Sequence, residues 1–249
     1  MSRLKNFGII ISQTLVSIPF RIVYILFTVF KVKGLENLRH TGKNGKGVIF
    51  VANHNSQIDS TIIPSALPIL SRFLPTYFVS LKKEFYTRFK FRSFYGGRVF
   101  SMLGAIPVDK YKKDYSEALK EHAKLLNMGR SILIFPEGRV VPGYGLAEAR
   151  GGAGYLAEVT GADIVPVCIT GDEDLTPRDF FSFRRKFIIR FGEITSFSKL
   201  FSPEMNAENK YKAVASACMS RVARMLDEER PGELVTSPVI SPLRAPVRV

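Results

Sequence analysis

The chain has 249 residues, and 36 Lys and Arg against 22 Asp and Glu give it a formal charge of +14. Hydrophobic residues make up 46% of it, which excludes an intrinsically disordered protein and is enough for one α/β core. The positive charge indicates an anionic partner, such as nucleic acid, anionic lipid or a phosphorylated small molecule.

The first 32 residues, 1–32, are predicted to anchor the chain to a membrane. The sequence from residue 7 onward is mostly apolar, but Pro19 and Arg21 interrupt it. An arginine at the centre of a spanning helix costs about 2.5 to 3.5 kcal/mol. Two shorter helices broken at Pro19 and lying in one leaflet are therefore favoured, and a single kinked span is the alternative. The flanking basic residues suit lipid head groups, so we expect a monotopic or peripheral protein at the cytoplasmic face of the cell membrane.

Residues 33–230 are predicted to form one α/β domain. FKVKGLENL is typical of an edge strand that ends at Gly34. The further predicted strands are Val48–Ala52, Thr76–Ser80, Ala105–Val108, Ser131–Phe135, Ile164–Ile169 and Phe187–Phe191. Segments long enough for helices separate them, which predicts a largely parallel central sheet covered by helices on both faces. The proline-rich residues 231–249 are expected to form a flexible tail.

Two cysteines, Cys168 and Cys218, fall among apolar residues. They are expected to be core thiols, which agrees with a reducing cytoplasmic environment.

A histidine and an aspartate follow the first central strand in the stretch NHNSQID, residues 53 to 59. If His54 precedes a helix, Asp59 in its first turn can reach one ring nitrogen and fix the tautomer. The other ring nitrogen is then left to act as a base. The alternative is an Asn or Ser helix cap with an incidental histidine.

Two further strand ends carry charged side chains. In SILIFPEGR, the segment from Pro136 to Arg139 follows a strand, where glycine allows a close backbone approach and arginine offers a planar fork to phosphate. A proline turn with a surface arginine is the alternative. GAIPVDK delivers Asp109 and Lys110 in the same way. Because ligand sites in parallel sheets lie beyond the carboxyl ends of strands, these residues are candidates for binding.

These motifs resemble, in order, the signature blocks of the glycerolipid acyltransferases, the 1-acylglycerol-3-phosphate acyltransferase family. NHNSQID resembles the NHxxxxD block, GAIPVDK the second block, FPEGR the FPEGTRS block and IVPV the fourth. VKGLENL, SLKKEF and KFIIRFGEI are supporting matches.

The resemblance implies that an acyl group passes from acyl-CoA or acyl-ACP to the free sn-2 hydroxyl of 1-acyl-sn-glycerol 3-phosphate, giving phosphatidic acid. It implies His54 as the base and Asp59 as its orienting partner, without a covalent intermediate, metal or cofactor. The substrate-binding residues that it implies are Lys110, Glu137, Gly138, Arg139 and Pro166. The expected partners are the lysophospholipid acceptor, acyl-CoA or acyl carrier protein, and an anionic membrane surface, with no nucleic acid.

Some residues depart from the family pattern. The family usually has Thr between Gly and Arg in the third block, whereas Arg139 follows Gly138 directly. Lys110 stands where the family often has Arg, and Arg150 stands near a position that is commonly Lys. Acylation of glycerol 3-phosphate, another lysophospholipid or a glycolipid is therefore one alternative. A non-catalytic basic membrane-surface module is a second. Nucleic-acid binding through KKEFYTRFKFRSFYGGR is disfavoured, because this mixture also suits a lipid interface.

Overall fold

The computed structural model describes most of the chain. The described residues are 3–42, 44–56, 58–69, 71–81, 101–109, 114–176, 178, 183, 185–202 and 210–232. Lys110 and nearly all of the predicted tail lie outside these ranges.

The described residues form an alternating α/β chain. The strands are β1 Val29–Lys33, β2 Val48–Ala52, β3 Thr76–Leu81, β4 Ala105–Val108, β5 Ser131–Ile134, β6 Asp163–Thr170 and β7 Lys186–Phe191. The helices are α1 Arg3–Phe27, α2 Asp59–Ala66, α3 Tyr115–Ala118, α4 Lys120–Asn127, α5 Gly152–Thr160, α6 Phe197–Leu200 and α7 Lys210–Glu229, with a 3-10 helix over Leu35–His40.

The described strands join in one sheet with the order β1-β7-β6-β2-β5-β3-β4. The last five strands in this order are mutually parallel, β7 is antiparallel to β6, and β1 is parallel to β7. The prediction of a largely parallel sheet is confirmed, and β1 lies at an edge as predicted. Every strand boundary agrees with the sequence prediction within about one residue.

Helices cover both faces of the sheet, as predicted. On one face α1 and α2 pack over side chains such as Phe50 and Val165, and on the other α4, α5 and α7 pack over Ile49 and Ile132. The alternation of Ile49 and Phe50 between the faces follows from the two-residue period of a strand. Both faces of the central strands β2, β5 and β6 are therefore apolar, and the polar side chains of these strands lie at their ends. Cys168 and Cys218 are free and buried, which confirms them as core thiols.

The amino-terminal segment forms one continuous helix, so the predicted pair of helices broken at Pro19 is wrong. Proline removes one backbone hydrogen bond, but tertiary contacts hold the helix on both sides of it. Before it, Gln13 Nε2 donates to the carbonyl of Thr76 at 2.7 Å. After it, the hydroxyls of Tyr24 and Thr61 lie 2.9 Å apart. These contacts dock both halves of α1 on the domain.

The opposite side of α1 is an exposed apolar face. Its members are Ile11, Leu15, Ile22, Ile25 and Leu26, which are 43% to 65% exposed. The stretch Gly8–Phe27 is long and apolar enough to cross a membrane by length and composition. These features indicate membrane association through α1.

Candidate active site

Three neighbouring strands bring the candidate residues to one edge of the sheet. Strand β2 lies between β6 and β5 and is parallel to both. The segments that begin at Asn53, Phe135 and Gly171 therefore leave the sheet side by side. Residues far apart in sequence meet there because carboxyl ends of parallel strands share an edge.

His54 and Asp59 form the contact that their spacing predicted. Asp59 Oδ2 lies 2.8 Å from His54 Nδ1. Asp59 is the first residue of α2, and its carboxylate is fully buried. The same oxygen accepts hydrogen bonds from the backbone N–H groups of Asn55 at 2.9 Å and Ser56 at 3.1 Å. With its proton on Nδ1, His54 keeps the lone pair of Nε2 for another partner.

Neighbouring residues fix the position of His54. Its backbone N–H donates to Glu137 Oε1 at 3.0 Å, and its carbonyl accepts from the N–H of Val141 at 2.7 Å. Its ring stacks on Phe135, with centroids 4.1 Å apart and planes at 13°. The segment after β5 thus holds both the backbone and the ring of the histidine.

Burial sets the protonation of this site. It lowers the pKa of His54 to about 4, although the charge of Glu137 acts in the opposite direction. Burial also raises the pKa of Asp59, against the hydrogen bonds that its carboxylate accepts. Because desolvation disfavours the imidazolium, His54 is neutral at physiological pH. A neutral imidazole bound to a carboxylate is able to accept a proton from a hydroxyl group.

Two asparagines join this edge to the end of β6. Asn53 Nδ2 donates to the carbonyl of Ile169 at 2.8 Å, while the N–H of Ile169 donates to Asn53 Oδ1 at 2.9 Å. Asn55 Nδ2 donates to the same carbonyl at 2.9 Å. These side chains satisfy backbone groups where the ladder ends, and they fix the path of the chain on both sides of His54.

Sequence reasoning missed two acidic residues of this site, Asp172 and Glu173. Both are buried behind the histidine and aspartate. Asp172 Oδ2 lies 2.5 Å from Ser56 Oγ, and Glu173 Oε2 accepts from the N–H of Gly171 at 2.7 Å. The signal was present, because GDED follows the apolar strand β6 in the same way that NHNSQID follows β2.

A cavity of about 340 Å³ opens next to Glu137, the residue that binds the backbone N–H of His54. Its lining includes Glu137 and three cationic side chains, Arg139, Arg150 and Lys212. Glu137 connects this cavity with His54. Its Oε2 accepts from the N–H of Ala147 in the cavity lining, and its Oε1 accepts from the backbone N–H of His54. With three cationic side chains against Glu137 and Glu148, the lining carries a surplus of positive charge that suits an anionic group.

Gly138 allows Arg150 to approach this turn closely. Its φ is +65°, and a Cβ added there would lie 3.0 Å from Arg150 Nε. The N–H of Arg150 donates to the carbonyl of Pro136 at 2.8 Å, so the backbone pairs as well. Arg150 is thus a second arginine packed against the turn that contains Gly138 and Arg139. In this turn Arg139 follows Gly138 directly, without the Thr that the family usually has between them.

Comparison with known proteins identifies the family. The family described as Acyltransferase matches residues 29–170. The chain belongs to this family. It is 26% identical over 171 residues to a protein of Mycoplasma pneumoniae named probable 1-acyl-sn-glycerol-3-phosphate acyltransferase, covering 67% of this chain and 62% of that protein. It is 28% identical over 159 residues to the chloroplastic 1-acyl-sn-glycerol-3-phosphate acyltransferase LPAT1 of Arabidopsis thaliana, covering 61% of this chain and 38% of that protein. The chain thus matches less than two thirds of the length of either relative.

The acyltransferase fold is also shared with a solved structure. The crystal structure of the 1-acyl-sn-glycerophosphate acyltransferase PlsC from Thermotoga maritima matches with a TM-score of 0.60 and 21% identity, covering 89% of this chain and 80% of that one.

The predicted site residues that the structure describes lie in two places. His54, Asp59, Glu137, Gly138 and Arg139 come together at the carboxyl edge. Pro166 lies inside β6, paired with Val51, so it is set back from that edge. The prediction for Lys110 falls outside the described residues. Among the residues that the structure describes, no group of three or more His, Cys, Asp and Glu is placed to hold a metal ion.

Proposed function

We propose that this acyltransferase transfers a fatty acyl group from acyl-CoA or acyl-ACP to the sn-2 hydroxyl of 1-acyl-sn-glycerol 3-phosphate, forming phosphatidic acid. The observation that carries the proposal is the His54–Asp59 pair, joined through Glu137 to a cavity with three cationic side chains. The names of the two relatives support the same acceptor.

In this proposal each ring nitrogen of His54 has its own role. Nδ1–H donates to Asp59, so Nε2 takes the proton from the acceptor hydroxyl. The hydroxyl oxygen attacks the thioester carbonyl, and the carbon–sulfur bond breaks when the tetrahedral intermediate collapses. The departing sulfur receives the proton from Nε2, which regenerates the neutral imidazole and leaves a free thiol. Asp59 stabilises the imidazolium between these two transfers.

Arg139 and Arg150 are proposed to bind the acceptor phosphate together. Both line the cavity, and neither is buried. Lys212, the third cation, forms an ion pair with Glu148 and so has part of its charge compensated. Two guanidinium forks fit a phosphomonoester better than a single ammonium, because each can bind two oxygens. Lys110, Gly138 and Pro166 stay proposed contributors through the family resemblance.

The membrane attachment is proposed to be monotopic, at the cytoplasmic face. Gln13, Arg21 and Tyr24 bind α1 to the domain on one side, with Arg21 Nη1 donating to the carbonyl of Leu67 at 3.2 Å. A helix held along its length by a domain has only its other side for lipid. That side is the exposed apolar face, which would lie in the lipid of one leaflet.

Acceptor specificity tests the phosphate site. The Arg139→Ala and Arg150→Ala variants should each lower kcat/KM for lysophosphatidic acid by about 10- to 150-fold, the value of a lost charge-assisted hydrogen bond. Lysophosphatidylglycerol, which lacks the phosphomonoester, should lose less, and KM for acyl-CoA should stay the same. Lysine at either position should recover only part of the loss.

The exposed Arg224 on α7 provides the matched control, because Arg224→Ala removes the same charge away from the cavity lining. Equal losses for both acceptors, or no loss for either, would remove the phosphate assignment. Product formation from glycerol 3-phosphate alone would instead support the alternative acceptor.

A further inference from the structure

A second buried carboxyl group stands behind the proposed base and its partner. Asp172 follows β6 and is 0% exposed. Ser56 Oγ contacts both carboxyl groups, 3.0 Å from Asp59 Oδ1 and 2.5 Å from Asp172 Oδ2, and the two carboxyl side chains also hydrogen bond with each other. The mechanism above assigns nothing to Asp172 or to this serine hydroxyl.

The two contacts of the serine hydroxyl indicate that one of the two carboxyl groups is protonated. A serine hydroxyl has one proton and donates it to one carboxylate. The second short oxygen–oxygen contact would be repulsive unless the other carboxyl group supplied a proton of its own. Two carboxyl groups that share a buried site cannot both be ionised without a large electrostatic cost.

The hydrogen bonds show which group holds the proton. Asp59 Oδ2 already faces three N–H donors, at 2.8 Å from His54 Nδ1, 2.9 Å from Asn55 N and 3.1 Å from Ser56 N. Asp172 Oδ1 is approached by the side-chain amide of Asn55 at 3.3 Å. The carboxyl group that accepts more hydrogen bonds keeps the negative charge. Asp59 is therefore the carboxylate, and Asp172 is the protonated acid.

The surrounding charges favour the same assignment. The titratable groups that interact with Asp172 are Asp59, His54, Glu173, Tyr24 and the buried thiol of Cys168. The guanidinium of Arg230 lies 3.8 Å from Glu173 Oε2, so its charge is directed at Glu173. Burial, followed by the charge of Asp59, raises the pKa of Asp172 well above its usual range.

We propose that Asp172 is a positioning residue for acyl transfer, a neutral acid that donates through the Ser56 hydroxyl to Asp59 and so holds that carboxylate on His54. The chain of donors runs from Asp172 O–H to Ser56 Oγ, and from Ser56 O–H to Asp59 Oδ1. It lowers the proton affinity of Asp59, so a proton taken from the acceptor stays on the imidazole. That proton is then available at Nε2 for the departing thiolate. This inference rests on the proposed role of His54 as the base.

Substitutions of Asp172 test the donor role. Asp172→Ala removes the donor and should lower kcat about tenfold or more without changing KM for either substrate. Asp172→Asn keeps an N–H donor of the same shape and should restore most of that loss. Ser56→Ala removes the route through the hydroxyl but leaves the direct contact between the two carboxyl groups, so it should lower kcat less than Asp172→Ala. Asp174→Asn is the matched control, because Asp174 is exposed two residues away.

Infrared difference spectroscopy tests the protonation state without relying on turnover. The spectrum of the wild type minus that of Asp172→Asn, at neutral pH, should contain the carbonyl stretch of a protonated carboxylic acid, shifted in D2O. A carboxylate band in its place would overturn the proposal, even if the alanine variant failed to fold.

Two kinetic outcomes separate this inference from the proposed function. Normal kcat in Asp172→Ala, with His54→Ala inactive, would overturn the inference alone. Full turnover by His54→Ala would overturn both.

Discussion

Exposing the imidazole ring of His54 to water should raise its pKa, because burial is the largest cause of the lowered value. The pKa of His54 is lowered from 6.5 to about 4, and that difference corresponds to about 3 kcal/mol. At pH 5 His54 is then mostly neutral, whereas an exposed histidine is mostly protonated. Phe135 covers one face of the ring at 4.1 Å. Phe135→Ala removes that cover, so it should move the pKa of His54 back toward 6.5.

NMR titration of histidine-labelled protein in detergent measures this directly. The chain has three histidines, His40, His54 and His122, so each signal can be assigned by replacing one of them with Gln. The His54 signal should still report neutral imidazole at about pH 5 in the wild type, and it should titrate at higher pH in Phe135→Ala. A wild-type midpoint near 6.5, or an unchanged midpoint in the variant, would refute the argument that burial keeps this base neutral.

Two further predictions concern stability and membrane binding. Burial lowers the pKa of His122 to about 4, so the unfolded chain binds a proton more readily and stability is lost as pH falls from 6.5 toward 4. The free energy of unfolding, measured in urea, should therefore fall between about pH 7 and pH 4.5 by about 2 to 3 kcal/mol less in His122→Phe than in the wild type. An equal fall in both proteins would contradict this. Leu15→Asp combined with Leu26→Asp should weaken binding to anionic vesicles by charging the exposed face of α1. The similarly exposed Val159→Asp on α5 should not, and equal binding by both variants would count against α1 as the lipid-binding face.

Local sequence patterns predicted most of the sheet, because each central strand is an apolar run bounded by polar or glycine residues. They failed at Pro19, where the loss of one backbone hydrogen bond was given too much weight. The contacts of Gln13 and Tyr24 come from β3 and α2, and nothing near Pro19 in the sequence reveals them. Tertiary contacts thus outweighed a local helix breaker.

Part of the candidate site was also predictable. The contact between His54 and Asp59 followed from their places after a strand and in the first turn of a helix. Asp172 also follows directly after a strand, at the end of β6. Its proposed role, however, depends on the contacts of Ser56 with the carboxyl groups of both Asp59 and Asp172. That arrangement depends on β6 pairing with β2, which a sequence pattern does not specify.

Acyl transfer by His54→Ala tests the proposed function most directly. Purified wild type and variant would be assayed in detergent with lysophosphatidic acid and either acyl-CoA or acyl-ACP, and phosphatidic acid would be measured by lipid mass spectrometry. Loss of the general base should lower kcat by at least about 10²- to 10⁴-fold while the circular dichroism spectrum stays the same. Asp59→Asn should also be severely impaired, because it can impose the wrong tautomer on His54. Near-normal phosphatidic acid formation by a folded His54→Ala variant would contradict the role of His54 as the base.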